Sequence, residues 1–155
     1  MSYNLLEAQD ALEDTLKAWV ESEIKTDGLL SEVKQVITGE VAENGFKPPT
    51  IWIMLDQAEM TEEATMTEIW EQQVNIMGLI TTNKPEQGTK LSRNLSIRAR
   101  QAIIKHRRQN SDWPREWLQR IKSKGFDPSP VERPDNKLFA SMCTITTVYR
   151  VVEQF

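Results

Sequence analysis

Six carboxylates crowd one short stretch of the chain, Asp56, Glu59, Glu62, Glu63, Glu68 and Glu71. Acids at this density are the residues with which metal-dependent hydrolases hold divalent cations, and Asp56, Glu59 and Glu63 would be the ligands of such a site. A working two-metal site also wants its carboxylates held inward by rigid elements with a lysine or histidine at hand, so a solvated acidic loop over residues 56–69 is the better reading. Other chemistry is sparse. No Gly-x-x-x-x-Gly-Lys or Gly-x-Gly-x-x-Gly loop is present to cradle a phosphate, and no His-Glu-x-x-His or Cys-x-x-Cys occurs. The single histidine, His106, reads as a partly buried, hydrogen-bonded ring, and the single cysteine, Cys143, as a small buried hydrophobe in a Val/Ile/Thr-rich run. The expectation is a protein that is not an enzyme, with no metal and no cofactor.

The charges carry more information than the catalytic residue types. Residues 1–75 hold 16 Asp/Glu against 4 Lys/Arg, whereas residues 84–137 hold 14 Lys/Arg against 6 Asp/Glu. A folded unit of this kind has an acidic flank and a basic flank, through which copies can attract one another head to tail or offer a basic side to a polyanion. The acidic flank comprises Glu7, Asp10, Glu13, Asp14 and Glu21. The basic flank comprises Arg93, Arg100, Arg107, Arg108, Arg115 and Arg120. A net charge of −4 speaks against a general nucleic-acid binder, and five tryptophans suit a core or a subunit interface equally well. With no bilayer-length apolar run, signal segment or lipidation pattern, the expected setting is soluble and reducing, away from membranes.

At 155 residues the chain fits one domain, residues 1–155. Leu5, Leu12, Leu16, Trp19, Val20 and Ile24 repeat at helical spacing over residues 3–24, with Gly28 suited to the left-handed cap. A short strand is expected over residues 33–37 and a central one over residues 50–55. Residues 65–82 fit a strand or a helix, with the strand favoured. After a loop over residues 81–88, a helix runs from Thr89 to about Arg108, with Leu91, Leu95, Ala99, Ala102, Ile103 and His106 on its apolar stripe. Trp113-Pro114 opens a short third helix with Trp117, Leu118 and Ile121 inward, and a proline-rich loop follows over residues 126–137. The last segment, 138–155, alternates strongly as a strand. The order predicts an α+β fold: two layers, a mostly antiparallel sheet of about four strands, and two main helices packed on one face.

Several features together resemble the tail-terminator (tail-completion) proteins of long-tailed bacteriophages. They are the element order, the run Lys47-Pro48-Pro49-Thr50-Ile51-Trp52-Ile53 leading into a central strand, the helix after a Thr/Asn-rich loop, and the proline-rich loop feeding a final strand that ends Thr146-Thr147-Val148-Tyr149-Arg150-Val151. The resemblance covers most of the chain. It implies a structural virion subunit that closes into a ring, usually a hexamer, at the head-proximal end of the tail tube. Such a ring ends tube growth and presents a surface to the head-side connector protein, while DNA passes through the pore without sequence readout. The resemblance thus implies the tail tube protein, the connector and further copies of the chain as partners, and the virion as location after assembly in the host cytoplasm. A head-tail connector or neck subunit would share these features. A nucleic-acid-binding protein using the basic helix 89–108 is the reading from a different class.

Overall fold

The protein is described by a computed structural model covering residues 2–39, 47–109, 113–122, 129–133 and 137–153. Its elements run α1 (Leu5–Glu21), β1 (Gln35–Thr38), β2 (Thr50–Ala64), β3 (Thr67–Thr81), α2 (Pro85–Gln109), β4 (Leu118–Lys122), β5 (Ser129–Arg133) and β6 (Leu138–Val152). The strands form one sheet in the order β1-β2-β3-β6-β4, with β5 also pairing β6. Every pairing is antiparallel except that of β1 with β2. β3 and β6 form the spine of the sheet, paired from Thr67 opposite Val152 to Thr81 opposite Leu138.

Side chains alternate across a strand, so the register sorts them into two faces. Ile51 and Ile53 of β2, Val74 and Ile76 of β3, and Cys143, Ile145, Tyr149 and Val151 of β6 are buried on the face that carries both helices. α1 adds Leu12, Leu16, Trp19 and Val20, and α2 adds Leu95, Ala99, Ala102 and Ile103. The architecture is therefore α+β in two layers with both helices on one face, as the sequence predicts, and among the described residues the sheet has six strands rather than about four. Asn4 starts α1 with a capping box: its side chain accepts from the Glu7 backbone N–H at 2.9 Å, and the Glu7 carboxylate accepts from the Asn4 N–H at 3.1 Å.

α2 lies unusually close to β3. A Cβ on Gly78 would stand 2.8 Å from both Ser92 O and Ser96 N, so only glycine admits the helix backbone here. The adjoining helix positions are accordingly small and polar: Ser92 Oγ lies 2.8 Å from Ser141 Oγ, and Ser96 Oγ donates to Ile76 O at 3.1 Å. This displaces Leu91 from the expected apolar stripe, and it is 45% exposed. α2 also begins four residues earlier than predicted, at Pro85, whose fixed φ and missing N–H suit the first helical position, and Gly88 in its first turn packs against the Phe139 ring.

Four other expectations give way. Residues 56–64 are no loop but the outer half of β2, which turns at Thr65-Met66 into β3, so the strand reading of residues 65–82 holds. The third helix is absent: after a turn at residues 115–117 the chain forms β4. A bulge between Leu118 and Arg120 places Leu118 and Ile121 on one face of a strand at a spacing of three, which mimics a helical period. Within the proline-rich segment, Ser129–Arg133 pairs with β6, and the rest of residues 126–136 lies outside the described residues. Past α1 the left-handed residue is Asp27 (φ 66°) rather than Gly28, whose missing Cβ instead clears Glu23 O.

Candidate functional site

Several charges of the acidic and basic segments meet one another inside the molecule. Arg98 pairs with Glu32 and donates to Leu29 O at 2.9 Å, Lys105 pairs with the buried Glu23 at 3.0 Å, and Lys122 pairs with Glu71. Arg98 and Lys105 thus turn inward, apart from the arginines named for the basic flank. They lie five positions on from Arg93 and Arg100 respectively, about 140° around the helix. Arg93, Arg115 and Arg120 are exposed, and Arg100 is half-buried near the Cys143 thiol. Arg107 and Arg108 close α2, with side chains outside the described residues.

On the acidic side, Glu7 serves the capping box, while Asp10, Asp14 and Glu21 are exposed. Glu13 is half-buried; desolvation, and then the charges of Asp10 and Asp14, raise its pKa above the ordinary glutamate value. The folded state then holds this proton more tightly than the unfolded chain, so Glu13 opposes folding above the ordinary glutamate range and ceases to do so below it. Glu13→Gln is expected to raise the thermal midpoint by about 2 °C near pH 7, with the gain lost near pH 4, as followed by circular dichroism. Glu32 shifts the other way, lowered chiefly by its hydrogen bond from Arg98.

Trp113 and Trp117, which could have stacked on nucleic-acid bases, are engaged within the fold. Trp113 stacks on Trp19 at 5.7 Å and donates to Leu118 O at 2.9 Å; Trp117 is 4% exposed and meets Tyr3 edge-on. His106 stacks on Trp19 at 5.1 Å with Ser22 Oγ 3.2 Å from its Nε2. The Cys143 thiol is buried, and desolvation pushes its pKa up, away from thiolate chemistry. Among the described residues no three acid, histidine or cysteine side chains gather as metal ligands. No helix among them is long and apolar enough to cross a membrane.

Among the described residues the sheet leaves strand edges unpaired, two of them carrying opposite charge. β1 covers β2 only at residues 50–53, so among the described residues the outer edge of β2 beyond that point pairs with nothing. That edge carries Asp56, Glu59, Glu62 and Glu63. At the other side of the sheet β4 is the last strand, carrying Arg120 and Lys122. The two edges lie at the same level: Glu59 is opposite Glu71, Glu71 opposite Val148, and Val148 opposite Arg120. This row crosses the face left bare by the helices, with a carboxylate at one end and a guanidinium at the other, about 14 Å apart at ordinary strand spacing.

Between them on that face lies a polar cavity of about 320 Å³ lined by Gln57, Ala58, Glu59, Glu71, Gln73 and Thr146. Its β2 wall is held by one buried side chain, Gln72. The Gln72 amide donates to Asp56 O at 2.6 Å and Gln57 O at 3.3 Å, where the β2 register shifts, and its Oε1 accepts from Tyr149 OH at 3.1 Å and Gln9 Nε2 at 3.2 Å. The sequence reading missed this wall, having taken residues 56–69 as a loop; the available signal was Gln72 itself, a polar residue within the apolar face read for β3.

No protein-family model matches the chain, and no curated protein matches it.

Proposed function

We propose that the protein is a structural subunit that closes into a ring with copies of itself at the head-proximal end of a phage tail tube, ending tube growth and offering a surface for head joining. The observation that carries this reading is the pair of free edges, acidic on β2 and basic on β4, at one level of a single sheet. A ring of identical subunits needs a heterologous contact, one patch against a different patch, and opposite charge gives that contact its direction. Asp10, Asp14 and Glu21 on α1, with Arg93 on α2, offer the same pairing of signs in the helical layer.

Strand direction supports the same joint. Three successive antiparallel pairings separate β4 from β2, so β4 runs opposite to β2, and a neighbour's β4 laid on the free β2 edge continues the antiparallel ladder. The partners under this reading are further copies of the chain, the tail tube protein and the head-side connector, with DNA passing through the hole unread. The test is electron microscopy of the purified protein mixed with tail tubes or with DNA-filled heads. Caps on tube ends and bare heads are expected; binding to heads alone would make it a connector instead, and binding to neither would reject the proposal.

A further inference from the structure

We infer that the cavity on the uncovered sheet face is a receptor for a guanidinium group, filled by Arg120 of the next copy of the chain. The inference rests on the ring reading and names the residues of its joint. Its lining is rich in hydrogen-bond acceptors: carboxylates from Glu59 and Glu71, amide oxygens from Gln57 and Gln73, and the Thr146 hydroxyl. Like charges directly opposite in an antiparallel pair repel, and Glu59 stands opposite Glu71. Lys122 meets Glu71 from within the chain, which leaves Glu59 at the rim, exposed on the free edge.

Thr146 supplies an independent sign of a missing partner. Thr146 lines the cavity, is 2% exposed, and its buried Oγ1 makes no hydrogen bond. A buried hydroxyl without a partner is costly, and such groups in a folded chain call for an explanation. A donor seated in the cavity provides one once the Thr146 side chain turns toward it. The cavity is far larger than a metal ion needs, and a planar guanidinium with five donors suits several oxygens at once.

The donor is identified by register. Arg120 is exposed, stands on β4 at the opposite end of the Glu59 row, and faces the same side of the sheet. When β4 of one copy joins β2 of the next at the same level, Arg120 arrives beside Glu59, where cross-strand side chains lie about 5 Å apart. Other cations of that region are engaged: Lys122 by Glu71, and Arg150 by Glu116 O at 3.1 Å.

The test is a charge exchange read by the mass of the particles formed, alone and on tail-tube ends. Glu59→Arg and Arg120→Glu should each weaken assembly about a hundredfold while the monomers stay folded. An equimolar mixture of the two should assemble again, since each joint then places opposite charges together. Thr146→Val should weaken assembly about tenfold while leaving the thermal midpoint of the monomer unchanged or higher, an outcome that a purely structural role for the hydroxyl would not produce. If the parent assembles and all three variants assemble equally well, or if the mixture fails to recover, the receptor is wrong and the ring stands. If the parent forms no ring in either setting, both are wrong.

Discussion

Replacing Gln72 with leucine is expected to cost the fold about 3 kcal/mol and to remove assembly at temperatures where the single chain is still folded. The side chain is fully buried, yet its value lies in its polar atoms. Leucine would fill much of the space while leaving Asp56 O, Gln57 O and the Tyr149 hydroxyl without their present partner. Each such orphaned group costs about 1–3 kcal/mol, and the loss falls at the register shift that shapes the acidic edge. Urea unfolding measures the stability loss, as a lowered midpoint at constant slope. Tyr149→Phe is the internal control, expected to cost only about 1 kcal/mol, because Gln9 still donates to the Gln72 oxygen.

The second large effect is expected from Gly78→Ala, at about 3 kcal/mol. At Gly88 an added methyl group would meet the Phe139 side chain, but at Gly78 it meets backbone atoms of α2. The helix must lift from the sheet, stretching the Ser96 hydrogen bond to Ile76 O and loosening Leu95, which is 1% exposed. Ser92→Ala should cost far less, since its loss removes two hydroxyl hydrogen bonds, to Ser141 and to Thr89 O, without moving the helix. Thermal unfolding of the two variants side by side checks the order, and equal losses would contradict the close-approach account.

How much of this could be read from residues alone follows from the kind of signal each element gives. β6 was legible because its alternation is strong: Phe139, Cys143, Ile145, Tyr149 and Val151 share one face in the structure. α1 was legible because Leu12, Leu16, Trp19 and Val20 form one stripe. The outer half of β2 was hidden, since its exposed, acid-rich residues carry no apolar alternation, and its pairing to β3 is a tertiary fact. β4 was hidden by its bulge.

The site was legible only in outline. Sorting charges along the chain pointed to opposed flanks, and Arg120 was among the residues named for the basic one. Which charges remain outward depends on ion pairs between residues far apart in sequence, such as Arg98 with Glu32 and Lys105 with Glu23, and no local pattern announces these. The carboxylate that stands level with Arg120 is Glu59 on β2 rather than one on α1, and Gln57, Glu71, Gln73 and Thr146 come together only through the pairing of β2, β3 and β6.

The most direct measurement is the mass of the particles that the purified protein forms as its concentration rises, at low and high salt. A single closed species of defined subunit number, weakened by salt as a charge-guided joint must be, is the result this account predicts. Monomer at every concentration with no ring on tail-tube ends, or open chains of unlimited length, would contradict it.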